Sequence, residues 1–270
     1  MQFSKSDCEV NFSAKYNAQP SGLGATRASL LRLLRSLDLV GWSTHEESGR
    51  LDRKAFTRFA VGSTAVFSKR QHIEAERSAV SVLIDCSGSM GNDGLIETAE
   101  SVAIQLSRIL DKANVEFNVT GFYGGSGGGN ENLSATGANK TNVGIRFERP
   151  TFVPFKTWKE SLQKASAKLG SIRHWAQSAT PDYSSISITL EDLGLRNEQR
   201  KILFLITDAN GYNKVHMRHL QNVADRLGIK LVAIGIGRTD VKECFRSSEN
   251  VTSVNDLASA TFNKLLKELQ

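Results

Sequence analysis

Two stretches of the chain are apolar without alternation. Ala79-Val80-Ser81-Val82-Leu83-Ile84 runs into Asp85, and Ile202-Leu203-Phe204-Leu205-Ile206 runs into Thr207-Asp208. Apolar runs of this length, bounded by turn residues, predict strands buried on both faces of a sheet. Ile229 to Ile236 (IKLVAIGI) reads as a third. Val115 to Tyr123 alternates and predicts a further strand. Val143 to Phe155, with Pro150 and Pro154, predicts an edge strand and its exit. Val251 to Val254 reads as a short edge strand. Between these runs, apolar residues recur at helical spacing: Ile96, Ala99, Ala103 and Leu106 over 96–113, Ile186, Leu190 and Leu193 over 184–195, then 215–227 and 257–269. Residues 156–176 read as a basic helix. Strands alternating with helices predict an α/β fold: a doubly wound, mostly parallel sheet with helices on both faces.

The N-terminal third is less regular. Residues 1–22 alternate weakly (Val10, Phe12) and end in Gln19-Pro20-Ser21-Gly22, which predicts an extended arm and a turn. Residues 24–40 predict an amphipathic helix, with Arg27, Arg32 and Arg35 flanking its leucines. Residues 43–50 read as a polar break, 51–60 as a helix, 65–69 as a short strand and 71–77 as a polar link. This gives a division into an N-terminal arm and helical extension (1–78) and a main domain (79–270). Residues 124–142 are rich in Gly, Ser and Asn. They lack the G-x-x-x-x-G-K-[ST] spacing of a phosphate-cradling loop and read as a mobile loop.

Candidate chemistry sits in the turn after the first buried run, Asp85-Cys86-Ser87-Gly88-Ser89-Met90-Gly91. In open α/β sheets, ligands bind where strands end at their carboxyl edge. One carboxylate and two hydroxyls, spaced two residues apart, are hard oxygen donors that suit Mg²⁺, which takes such ligands at ~2.0–2.1 Å. Cys86 between them reads as packing. His216 and His219, three residues apart beside Lys214 and Arg218, read as a solvated helix face. His45-Glu46-Glu47 is not HExxH, and Gly88-Ser89-Met90-Gly91 is not a G-x-S-x-G nucleophile elbow, so a zincin or serine hydrolase reading is dropped.

The D-x-S-G-S-M turn resembles the metal-ion-dependent adhesion site (MIDAS) of von Willebrand factor A (VWA) domains. That resemblance implies three contributing segments. The second is Ser178-Ala179-Thr180-Pro181 and the third ends at Asp208, so the implied metal residues are Asp85, Ser87, Ser89, Thr180 and Asp208. The cation is Mg²⁺, or Mn²⁺ or Ca²⁺ in its place. The chain is further similar to the CobT subunit of cobaltochelatase. The similarity lies in Glu198-Gln199-Arg200-Lys201-Ile202-Leu203, Ala233-Ile234-Gly235-Ile236-Gly237, Glu46-Glu47-Ser48-Gly49-Arg50-Leu51-Asp52 and Phe67-Ser68-Lys69, and it covers roughly residues 24–270. It implies a protein-binding subunit without catalysis of its own, working with a MoxR/CobS-type AAA+ ATPase that offers an Asp or Glu to the metal. The alternative it implies is a cobaltochelatase component that inserts cobalt into a corrin ring. Ala209 stands where that family commonly has Gly. The long acidic N-terminal part of a full CobT subunit has no counterpart, which reads as a stand-alone relative, as from a phage or small operon.

Composition narrows this further. With 270 residues and 40% hydrophobic content, the chain is long enough for one large domain with an extension. No apolar run approaches the ~18 residues of a membrane span, and the first residues lack the apolar core of a signal peptide. A net charge of +6 is mild, and no basic stripe interleaved with aromatics points to nucleic acid. Three widely spaced cysteines, Cys8, Cys86 and Cys244, suggest reduced thiols in a cytoplasm.

Overall fold

The computed structural model describes residues 4–18, 40–52, 64–72, 77–124, 150–237 and 241–258, with single positions at 24, 28, 57 and 62. The chain forms two compact units, residues 35–77 and residues 1–34 with 78–270.

In the 35–77 unit, β1 (Val40–Glu46), β2 (Arg50–Leu51) and β3 (Phe67–His72) make an antiparallel sheet in the order β1-β3-β2. This corrects three expectations: Val40 does not end a helix, 43–50 is not merely a polar break, and Leu51 does not begin a helix. Val40, Trp42 and Thr44 are strand-favouring residues at period two, and cross-strand pairing such as Trp42 with Arg70 satisfies a polar backbone that a helical reading overlooks. Gly49 turns the chain between β1 and β2 at φ 135°. A Cβ there would lie 2.6 Å from the Ser68 carbonyl oxygen, so only glycine fits.

The larger unit is built on a six-stranded sheet. Its strands are β4 (Ser78–Asp85), β5 (Glu116–Gly124), β6 (Pro150–Lys156), β7 (Arg200–Thr207), β8 (Ile229–Ile236) and β9 (Ser248–Val251), ordered β6-β5-β4-β7-β8-β9. Neighbours are parallel except β5 and β6, which are antiparallel. The fold is therefore a doubly wound α/β sheet, and its order reverses between β4 and β7. At such a switch point the crossovers leave in opposite directions and open a crevice at the strands' carboxyl ends. Every residue of β4 is buried, as its unbroken apolar run predicts.

The long helix α2 (Leu95–Lys112) covers one face of the sheet, packing Ile96, Val102 and Leu106 with Val80, Val82 and Ile84. On the other face lie α4 (Asp182–Gly194) and α5 (Lys214–Arg226). They bury Ile186, Leu190, Met217 and Leu220 with Leu83, Leu203 and Leu205.

Residues 5–17 form a helix, α1 (Lys5–Asn17), and not an extended arm. The weak alternation of Val10 and Phe12 is outweighed by Cys8, Phe12 and Tyr16 at a four-residue spacing. Cys8 and Phe12 are buried, and Phe12 stacks on Tyr16 at 5.4 Å. Residues 156–176 are not one helix: a single helical turn, α3 (Ser166–Leu169), is followed by a 3₁₀ turn at Ile172–His174. A short helix, α6 (Val241–Cys244), precedes β9. Of the helix expected over 24–40, Gly24 and Ala28 are described and helical; apart from Val40 the rest lies outside the described residues, as do the loop after Gly124 and the closing helix beyond Ala258. No described helix is long and apolar enough to cross a membrane.

Candidate metal centre

β4 delivers Asp85 to the crevice, and the chain then turns through Ser87 into a 3₁₀ turn, Gly88–Gly91. Asp85 is fully buried. Its Oδ1 accepts the Ser87 backbone N–H at 2.9 Å. Its Oδ2 accepts the Thr207 hydroxyl at 2.8 Å and the Tyr212 hydroxyl at 3.1 Å. Thr207 is the last residue of β7, and its Oγ1 also accepts the Ala209 N–H at 2.8 Å. Two strands and the loop after β7 are thus tied to one carboxylate. The hydroxyls of Ser87 and Ser89 lie 3.1 Å apart. Asp208 stands at the exit of β7, partly exposed, its Oδ1 accepting the Asn210 N–H at 3.0 Å.

The segment that carries Thr180, the second of the three, is held by its backbone. Gln177 N–H donates to the Cys86 carbonyl at 2.9 Å, Gly88 N–H to the Ser178 carbonyl at 2.9 Å, and Gly124 N–H, at the end of β5, to the Ala179 carbonyl at 2.7 Å. Residues 177–179 are therefore laid against the Asp85–Gly88 turn, with Thr180, half-buried, following directly. Gly88 permits this approach, since a Cβ there would come within 3.1 Å of the Ser178 oxygen. Two non-glycine residues of these loops adopt the left-handed region, Ser178 at φ 62° and Ala209 at φ 52°. Backbone strain of this kind gathers at functional loops.

Burial pushes the Asp85 carboxyl up to about 6, and the nearby charge of Asp208 adds to it. The hydrogen bonds from Ser87 and Thr207 act in the opposite direction. Among the described residues no cation pairs with Asp85. A buried, hydrogen-bonded and otherwise uncompensated carboxylate beside two hydroxyls is a hard-oxygen donor set that a divalent cation would complete. The described residues contain no group of three His, Cys, Asp or Glu placed to hold an ion. The oxygens here are hydroxyls as much as carboxylates, which suits Mg²⁺ and not a soft metal.

Cys86 is fully buried, and its thiol is pushed up by that burial; it packs into the core below the turn. His216 differs from the expected solvated face. It is buried at 8% exposure, with its ring edge-on to Tyr183, while only His219 is exposed, hydrogen-bonded through Nδ1 to the Tyr183 hydroxyl at 3.0 Å. The residues that orient Asp85, Thr207 and Tyr212, escape a sequence reading. Thr207 carries a weak signal as a hydroxyl ending an otherwise apolar strand, and Tyr212 carries none.

Residues 66–269 match the family described as "Cobalamin biosynthesis protein CobT VWA domain". No curated protein matches the sequence. Among solved structures, the chain is similar to manganese-loaded TRAP protein from Plasmodium vivax, at 14% identity and TM-score 0.49, over 72% of this chain and 73% of that one. It is also similar to the conserved hypothetical protein BatB from Bacteroides thetaiotaomicron, at 14% identity and TM-score 0.49, over 71% and 98%. A third is proximal thread matrix protein 1 from the mussel byssus, at 17% identity and TM-score 0.48. There the match covers 72% of this chain and 47% of that protein, so the chain spans about half its length. Nothing of their function passes to this chain at that similarity. The family match extends over well more than half of the 270 residues, and the chain belongs to the CobT VWA-domain family.

Proposed function

We propose that the crevice at the ends of β4 and β7 binds a divalent cation, Mg²⁺ or in its place Mn²⁺ or Ca²⁺, and that the chain is a metal-dependent protein-binding subunit. The observation that carries this reading is the fully buried Asp85 carboxylate, with no described cation beside it and the Ser87 and Ser89 hydroxyls two and four residues on. In this reading Ser87 and Ser89 ligate through their hydroxyls. Thr180 ligates in one ligand state. Asp85 and Asp208 supply negative charge directly or through water. Thr207 and Tyr212 hold the Asp85 carboxylate in one orientation, so that it meets the cation without reorganising. The bound cation would supply positive charge with a position open to an incoming carboxylate.

Membership of the CobT VWA-domain family supports a MoxR/CobS-type AAA+ ATPase as the partner whose Asp or Glu takes that position. An ATPase cycle would then act on its substrate through this bond. Three free, buried cysteines suit the reducing cytoplasm in which such a complex would work. The test is capture of the ATPase by wild type and by Asp85→Ala, with Mg²⁺ and with chelator. Capture is expected only for wild type with Mg²⁺, while circular dichroism shows both chains folded. Equal capture by the variant, or capture that chelator does not touch, overturns the reading. The family description names cobalamin biosynthesis, which makes insertion of cobalt into a corrin ring the second reading. Tetrapyrrole binding seen by absorbance titration would favour it.

A further inference from the structure

Helix α1 lies outside the matched stretch 66–269, so the family does not account for it. It is nevertheless wired to the segment that carries Thr180. The hub is Glu100 of α2, fully buried. Lys15 of α1 pairs with Glu100, and Asn11 of α1 donates through Nδ2 to both of its carboxylate oxygens at 3.1 Å. Arg173 reaches the same carboxylate with Nε at 3.1 Å, Nη2 at 2.9 Å and its backbone N–H at 3.3 Å, and it also bonds Asn11 Oδ1.

Arg173 belongs to the 3₁₀ turn Ile172–His174, and the chain continues from it without a break into the metal site. Trp175 N–H donates to the Ile172 carbonyl at 3.0 Å, and its ring packs on Phe155 and Tyr123. Gln177 and Ser178 then bond to Cys86 and Gly88 of the metal turn. Six residues lie between Arg173 and Thr180, and four of them, Trp175, Gln177, Ser178 and Ala179, carry a backbone bond or ring contact of this kind.

Docking of α1 leaves no slack at its other contact. Asn11 Nδ2 donates to the Gly170 carbonyl at 2.8 Å, and a Cβ on Gly170 would lie 1.9 Å from the Cys8 carbonyl oxygen of α1. Gly170 itself has φ −73°, a conformation any residue adopts. Alanine there is compatible with its own backbone and incompatible only with α1 in place.

We propose that α1 is a latch: docked on Glu100, it fixes Arg173 and through it the Thr180 segment, so that release of α1 weakens cation binding at the crevice. Glu100, Arg173 and Asn11 are positioning residues in this arrangement. The inference rests on the metal reading of the same site. Residues that orient metal ligands from behind typically change affinity about 10–100-fold when lost.

The experiment compares Mn²⁺ affinity, by calorimetry, for full-length wild type, Gly170→Ala and Asn11→Ala. Trypsin cleavage within α1 reports its release, and circular dichroism confirms that the sheet is folded. Leu193→Ala, a core change at the far end of α4, serves as a control of general destabilisation. The expected result is α1 cleaved in Gly170→Ala with Mn²⁺ held about tenfold more weakly, a smaller effect in Asn11→Ala and wild-type affinity in Leu193→Ala. Cleavage of α1 with unchanged affinity overturns the latch. So does α1 remaining protected in both variants, or Leu193→Ala weakening Mn²⁺ as much as they do. If Gly170→Ala does not fold, Asn11→Ala decides. A wild type that binds no Mn²⁺ fails the metal reading itself and takes the latch with it, an outcome separate from the others.

Discussion

Asp85→Asn should make the metal-free protein more stable while removing its response to cation. The carboxyl is fully buried and pushed up to about 6 from its ordinary 3.8, chiefly by burial. An acid whose folded-state value is raised binds its proton more tightly folded than unfolded. Between about pH 3.8 and 6 the folded chain keeps a proton that the unfolded chain has lost, so stability falls as pH rises through that window, and the loss persists above it. At ~1.4 kcal/mol per pH unit the gap amounts to about 3 kcal/mol at neutral pH.

The amide keeps an acceptor for the Ser87 N–H, but faces the Thr207 and Tyr212 hydroxyls with a donor. Both hydroxyls can turn to accept from that amide, so the loss is confined to their displaced hydrogens, about 1 kcal/mol in all. The net gain is therefore about 2 kcal/mol, or roughly 4–8 °C in a domain of this size. Thermal unfolding is followed by circular dichroism in chelator, then in excess Mg²⁺, at neutral pH and at about pH 5. Mg²⁺ should stabilise wild type by mass action and leave the variant unmoved. The variant's advantage in chelator should shrink near pH 5, where wild-type Asp85 is largely protonated. A variant less stable than wild type in chelator at neutral pH, or an advantage independent of pH, refutes the reasoning.

Two further changes test the surroundings of the site. Tyr212→Phe deletes one of the three hydrogen bonds to the Asp85 carboxylate and should cost about 1–2 kcal/mol in urea unfolding; no change would mean that the hydroxyl does not hold the carboxylate. Gly121→Ala would set a Cβ 2.7 Å from Phe155 and 2.8 Å from the Cys86 sulfur, and overpacking of this kind costs about 1–3 kcal/mol. Adding Cys86→Ala should return part of that loss, and a strictly additive double-mutant cycle would show that Cys86 does not pack against the position.

The sheet was legible because its parallel strands lie between two layers of helices. A strand covered on both faces must be apolar at nearly every position, and β4, β7 and β8 are written that way. The short sheet β1-β3-β2 was legible only in part: 65–69 reads as a strand and overlaps β3 (Phe67–His72), whereas Val40–Glu46 takes its order from its partner. The helix α1 gives little signal because its stripe holds only Cys8, Phe12 and Tyr16 in a polar sequence. Its burial comes from a partner surface that no local pattern reveals. Among the candidate site residues, Asp85, Ser87 and Ser89 stand out in the sequence because they are neighbours in one turn.

Ala209 shows the limit from the other side. From the sequence it is a neutral departure from glycine, one residue past Asp208. In the structure it sits at φ 52°, where an L-residue carries about 1–2 kcal/mol of strain, and its N–H is held by the Thr207 hydroxyl that also binds Asp85. The same oxygen thus fixes the orientation of the carboxylate and the bend of the loop that presents Asp208. Strain at Ala209 is borne because Thr207 ties both ends of that arrangement together. A perturbation of the Thr207 hydroxyl should therefore move the Asp85 and Asp208 sides of the centre jointly, where the sequence shows only a threonine at the end of a strand.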